Sequence, residues 1–167
     1  MQNVPSGTLV RHQLVIKEKI MTSQETVQAL MDSVQRGDFD KAKTLLSDDF
    51  RYKGFIHKPL SGKTWLKMSA SLKMAFAGLN YHFKVDSAEG DVVNSTSQMS
   101  GNNRGAFDLT DLHMGVISAT NKTFSTAREN HTITVKDDKV SSWVVEPTEG
   151  AGLMAILKQL DVKLSNT

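Results

Sequence analysis

The sequence predicts an α+β domain in which three N-terminal helices and a C-terminal helix cover one face of a curved antiparallel sheet. Up to residue 78 the apolar residues recur at helical spacing, from residue 80 onward the period changes to two, and Leu153, Ile156, Leu157 and Leu160 return to the helical pattern. Helices followed by a run of strands, rather than alternating with them, is the α+β signature.

The first helix opens at Thr22-Ser-Gln-Glu25, a capping box, and carries Val27, Leu30, Met31 and Val34 on one face before Gly37 closes it. Asp38 caps a second, short helix bearing Phe39, Ala42, Leu45 and Leu46, which ends near Ser47. The stretch Phe50–Phe55 reads as extended. Ser61, just after Pro59, caps a third helix whose Trp65, Met68, Ser69, Leu72, Ala75 and Phe76 form a broad stripe ending at Gly78. Tyr81, Phe83 and Val85 then alternate with His82, Lys84 and Asp86, and a Gly90-Asp91 turn leads into Val92 and the residues after it, giving a hairpin. A second hairpin joins residues 124–135 to residues 139–146 through the turn Lys136-Asp-Asp-Lys139. Between the hairpins, residues 105–122 are poorly periodic, with one short strand expected near Val116.

Composition narrows the function classes. A chain of 167 residues fits one compact domain with a single core. Its 20 basic and 18 acidic residues leave a net charge of +2, and the excess sits in residues 1–20, where Arg11, Lys17 and Lys19 face only Glu18. The remainder is balanced, so no nucleic-acid footprint and no anionic-membrane patch is indicated. The absence of cysteine excludes disulfides, thiolate chemistry and cysteine-ligated zinc, and fits a reducing compartment. No run is long and apolar enough for a membrane span, and charged residues interrupt every candidate leader in residues 1–20, so a cytoplasmic location is expected. Met21 stands directly before the first capping box, so residues 1–21 are expected to be an appendage, residues 22–162 the domain and residues 163–167 a tail.

One strand carries chemistry. In Glu129-Asn-His-Thr-Ile-Thr-Val135, alternation sends Glu129, His131, Ile133 and Val135 to one face and Asn130, Thr132 and Thr134 to the other. A carboxylate and an imidazole thus share the face that ends in apolar residues, where they are either buried at a cost or placed in a pocket. His57, His82 and His113 show no paired ligand spacing, so no metal site is expected.

The turns and strand ends carry a resemblance to a known family. Gly101-Asn-Asn-Arg-Gly105 resembles a G-x-H-x-G segment, Ala119-Thr-Asn-Lys-Thr-Phe124 a P-T-G-K loop, His131 to Val140 a V-x-D-G-K-I hairpin, and Leu157-Lys-Gln-Leu160 a final Q-L-G. These features, over roughly residues 22–162, are similar to those of the SnoaL-like polyketide (ester) cyclases within the nuclear transport factor 2-like superfamily. The resemblance implies a cone-shaped sheet, with a cavity between it and the three N-terminal helices that holds a small apolar or polyketide-like molecule. It also implies that His131 is the cavity histidine of the penultimate strand and Glu129 the polar residue two before it. The family's proton-abstracting aspartate falls on Val145, and the histidine of G-x-H-x-G on Asn103. Glu146, next to Val145, could replace the aspartate only through a bulge near Pro147, because a shift of one residue reverses the face.

The expected activity is that of a cyclase or isomerase acting by proton transfer on an apolar carbonyl compound, with His131 and Glu129 as acid-base or orienting groups. Such chemistry needs a base and an oxygen donor but no cofactor. Asn103, Arg104, Tyr52, Trp65, Tyr81 and Glu146 are the expected substrate contacts. The alternatives are a binding protein using the same cavity without turnover, and a dimeric scaffold. In the bland version of the site, His131 is a hydrogen-bonded core residue and Glu129 a half-exposed partner of Arg104 or Arg128. A homodimer through the outward sheet face is also expected, favoured if residues 91–100 and 139–146 expose apolar side chains there.

Overall fold

The computed structural model describes residues 21–54 and 57–163. The expected N-terminal appendage lies outside the described residues, apart from Met21, as does all of the expected tail except Lys163. Helix α1 (Ser23–Arg36) begins where the capping box places it: Thr22 Oγ1 accepts the Glu25 amide at 3.1 Å. It stops at Gly37, whose φ of 79° only glycine adopts readily. Helix α2 (Phe39–Thr44) follows from the Asp38 cap, and strand β1 (Leu46–Lys53) starts earlier than its sequence suggests, taking Leu46 from the short helix. A two-residue strand β2 (Leu60–Ser61) leads into helix α3 (Gly62–Ala75), again capped by a side chain, that of Ser61.

Helix α3 ends three residues before its expected limit. Phe76 has φ −120° and ψ 110° and opens strand β3 (Phe76–Asn80). Its ring is still buried, at the edges of Phe107 and Phe124, so the apolar stripe continues across a change of backbone conformation. The predicted first hairpin is β4 (Lys84–Glu89) with β5 (Val92–Ser97); Tyr81 and Phe83 lie in the irregular segment before it. Strands β7 (Phe107–Asp108) and β8 (Val116–Ile117) lie within the poorly periodic region, flanked by β6 (Ser100–Asn103) and β9 (Thr123–Ser125), so that the single strand expected over residues 124–135 is divided between β9 and the strand after it. The second hairpin is β10 (Glu129–Lys136) with β11 (Lys139–Val145), closed by Asp137 and Asp138, both at positive φ as a two-residue hairpin loop requires. Helix α4 (Leu153–Gln159) closes the chain.

The main sheet has the order β2-β1-β11-β10-β5-β4. It is mixed rather than wholly antiparallel, because β1 lies parallel to β11; the helices between them allow that crossover. Register shifts at Thr134/Val135 and at Val85/Ser87 bend it. The smaller sheet β3-β6-β9 stands against α4. Two hydrophobic clusters result. One packs α1 and α3 on the main sheet through Leu30, Trp65, Ile133 and Trp143; the other joins Phe76, Phe107, Phe124, Ile156 and Leu157. Tyr81 and Leu112 touch both. On the outward sheet face, the exposed apolar residues are Val92 and Val144.

The motif residues are structural pins. Asn103 is fully buried, and its amide donates to the carbonyls of Ala75 and Gly105 while its Oδ1 accepts from the amide and hydroxyl of Thr120. Gln159 seals the edge of β9, accepting from the Ser125 amide and donating to the Ser125 carbonyl, each at 2.9 Å. Replacing Asn103 by Ala strands several buried backbone groups at once. It is expected to cost about 3 kcal/mol in urea unfolding while leaving the affinity of a cavity ligand unchanged in the folded fraction.

Candidate functional site

A cavity of about 440 Å³ opens where the two hydrophobic clusters meet, within the size range of small-molecule sites. Helix α1 contributes Met31, and helix α3 contributes Trp65, Met68, Ser69 and Leu72. The sheet contributes Tyr52, Ser97, Glu129, His131, Trp143 and Val145, and the stretch from Glu146 to Ile156 forms the far wall and rim. Trp65 is the central plate, its ring 5.9 Å from that of Tyr52 and 5.6 Å from that of Trp143.

Strand parity places the polar core of the site. Glu129 and His131 are 9% and 6% exposed and face inward with Ile133 and Val135. Ser97 lies directly across the strand pair from Glu129, and Val145 directly across from His131. The imidazole is held on both sides. The Trp143 indole Nε1 donates to His131 Nδ1 at 3.0 Å, and His131 Nε2 stands 2.7 Å from Ser97 Oγ. An indole N–H cannot accept, so Nδ1 must present its lone pair and the single proton of the neutral ring resides on Nε2. The Glu129 carboxylate lies 3.8 Å from Nε2. That contact would be an ion pair only with a doubly protonated ring, which the Trp143 hydrogen bond opposes.

Burial acts on both groups in the same sense, against charge. It lifts the Glu129 carboxyl to about 7 and lowers His131 to about 4. At neutral pH the pair is therefore an uncharged imidazole beside a carboxyl poised between its acid and base forms. The Tyr52 and Tyr81 phenols are pushed up by burial, and the Glu129 charge adds to the effect on Tyr52, so both remain protonated.

The structure brings six of the eight residues expected to form the site to the cavity wall: Glu129, His131, Tyr52, Trp65, Tyr81 and Glu146. Asn103 is a correction: its amide is consumed by the backbone pins described above and it does not line the cavity. Arg104 is another. It is exposed and outside the cavity wall, because inward-facing Asn103 turns its neighbour outward. Glu146 lines the cavity beside Pro147, and its carboxylate accepts from Asn130, whose side chain is on the outward face, at 3.2 Å. No bulge intervenes there, since His131/Val145, Thr132/Val144 and Ile133/Trp143 pair in unbroken register. Neither Arg104 nor Arg128 is the partner of Glu129; the ion-pair geometry of its carboxylate is with His131. Both ring nitrogens of His131 are engaged, as in a core histidine, but the ring also faces the void.

Two members of the site carried no separate signal in the sequence, Ser97 and Trp143. Trp143 faces inward because Ser141 is an extra residue: Val135 pairs with Val140, whereas Thr134 pairs with Ser142. Inward parity counted from Val145 rather than from Val140 would have found it.

A model of the SnoaL-like polyketide cyclase family matches residues 24–160. Comparison with curated proteins by sequence found no match. Among solved structures, a candidate SnoaL-like polyketide cyclase from Jannaschia sp. is 20% identical, with TM-score 0.63 over 84% of this chain and 92% of that one. A candidate polyketide cyclase from Pseudomonas putida is 15% identical, with TM-score 0.60 over 84% and 98%. An LEH-like epoxide hydrolase from Mycobacterium tuberculosis is 14% identical, with TM-score 0.52 over 74% and 76%. At these identities the solved structures establish a common fold.

The displaced pKa values make opposite contributions to stability. Between pH 4.5 and 7 folded Glu129 keeps a proton that the unfolded chain has released, so its contribution falls as pH rises. Between pH 4 and 6.5 the unfolded chain protonates His131 and the folded one does not, so that contribution rises. Glu129→Gln removes only the first. The stability difference, variant minus parent, should therefore grow by on the order of 3 kcal/mol from pH 4.5 to 7 and then level off, as read by urea unfolding across pH. A difference independent of pH would show that the carboxyl is not desolvated.

Proposed function

The chain belongs to the SnoaL-like polyketide cyclase family, and from that premise we propose that it is a cofactor-independent enzyme of the cyclase or isomerase type. Its substrate is an apolar carbonyl compound held in the cavity, and its reaction begins with removal of a proton from the carbon beside the carbonyl. The observation that carries this reading is a carboxyl with pKa raised to about 7 by burial, facing an aromatic cavity beside an imidazole held uncharged by Trp143. A base is most effective when its pKa lies near the working pH. Glu129 meets that condition, and it takes the role that the family assigns to the position of Val145.

His131 serves a different purpose. With its pKa lowered to about 4 and its Nδ1 occupied, it neither accepts nor cycles a proton at neutral pH. It orders the hydrogen bonds beside the base. Trp65, Tyr52 and Tyr81 supply flat contact surface and two protonated phenols, suited to a planar, mostly apolar molecule with few polar groups.

The proposal is tested by exchange rather than by a known product. A panel of apolar β-dicarbonyl compounds and aryl ketones is incubated with the protein in deuterated water, and loss of the α-proton signal is followed by NMR. Exchange should be accelerated, rising with pH through about 7 as Glu129 ionises, and Glu129→Gln should lower it at least 100-fold, within the range typical of a positioned base. If compounds bind to the cavity without accelerated exchange, the chain is a binding protein and the catalytic reading is withdrawn.

A further inference from the structure

Counting hydrogens along the buried row Trp143, His131, Ser97 leaves one proton without an acceptor among the described residues. Trp143 donates to His131 Nδ1, so the imidazole proton is on Nε2. Nε2 lies 2.7 Å from Ser97 Oγ, so Ser97 accepts there. Its own hydroxyl hydrogen must point elsewhere. Among the described residues, His131 is the only hydrogen-bond partner of Ser97 Oγ. Ser97 is 4% exposed, yet it is part of the cavity wall, on the strand beside Glu129 and directly opposite it.

We infer that Ser97 donates the hydrogen bond that stabilises the oxyanion formed when Glu129 deprotonates the substrate. The inference deepens the proton-transfer reading and rests on it. The step balances without a redox partner. The α C–H bond breaks, its proton passes to the Glu129 carboxylate, its electron pair forms the enolate C=C bond, and the carbonyl π pair moves to oxygen. The Ser97 O–H bond stays intact, and its hydrogen bond shortens as charge builds on that oxygen. Because His131 donates into Ser97 Oγ, the row is polarised toward the cavity, which strengthens its last donor. Trp143 and His131 are positioning residues in this scheme.

The same geometry sets how a substrate lies. Directly opposed inward residues of paired antiparallel strands have Cβ atoms about 4.5–5.5 Å apart. The two side chains therefore meet a substrate from one wall, and a carbonyl oxygen over Ser97 leaves the carbon bonded to the carbonyl carbon over Glu129. Ser95 is a built-in contrast. It too is inward and buried, and its Oγ has no partner among the described residues, but it does not reach the cavity.

The test uses p-nitrophenol, whose phenolate mimics an enolate oxygen and whose absorbance reports ionisation, in the Glu129→Gln background, where the amide stands for a base already protonated. The bound phenol should ionise at lower pH than it does free. Adding Ser97→Ala should weaken phenolate binding about tenfold and reverse that shift. Ser97→Thr should restore both, and Ser95→Ala should change neither. Circular dichroism and thermal unfolding establish that each variant is folded. Phenolate binding unchanged by Ser97→Ala, binding of the neutral phenol alone, or no binding in the Glu129→Gln protein each overturns the assignment. The role of Glu129 is judged separately, by proton exchange in the parent protein, so the two failures are distinguishable.

Discussion

The hydrogen bond from the Trp143 indole to His131 Nδ1 decides the chemistry of the cavity. Trp143 can only donate, so it fixes the tautomer of a ring that would otherwise be free to choose, and it disfavours the doubly protonated form. Everything polar around it follows. The Nε2 proton must go to Ser97, and among the described residues no cation stands by the carboxyl of Glu129, 3.8 Å from Nε2, to stabilise its charge. Burial, unopposed, then raises Glu129 to about 7. With a lysine or an imidazolium in place of the neutral ring, Glu129 would be an ordinary ionised carboxylate and a weak base.

That hydrogen bond depends on a packing detail well away from it. Trp143 reaches the interior only because Ser141 is an extra residue in β11, which reverses parity between Val140 and Trp143. Without the bulge, Val140 inward would put Trp143 outward, and the imidazole would lose both its donor and the aromatic wall shared with Trp65. The bulge that helps to bend the sheet thus also brings the indole to the histidine.

This is also where legibility in the sequence stops. Both long helices were readable because their caps and stripes agree, and β10 was readable because alternation there is strict, which placed Glu129 and His131 on the inward face correctly. The end of α3 was not. Leu72, Ala75 and Phe76 keep helical spacing while the backbone has already become strand, and no breaker precedes Gly78. Asn103 and Arg104 looked like substrate contacts because a family motif falls on them, yet a buried asparagine satisfying four backbone and hydroxyl groups leaves no polar atom for a ligand. Ser97 was invisible for a different reason: in a strand containing three hydroxyl residues, only cross-strand register distinguishes the one opposite Glu129.

The family aspartate's position becomes intelligible on the same geometry. Val145 and Glu129 are both inward neighbours of His131, one across the β10–β11 pair and the other two residues along β10. A carboxylate at 145 would sit at the end of β11, directly across from His131, whereas one at 129 faces β5 and its serine. Valine at 145 leaves one inward carboxyl next to the imidazole, so no second carboxylate competes for charge, and it adds apolar surface that deepens the desolvation on which a base near pH 7 depends. In the proposed chemistry the base has therefore moved from one neighbour of His131 to another. Position 145 faces His131 and position 129 faces Ser97, so in that chemistry the oxygen donor that stands beside the base is Ser97.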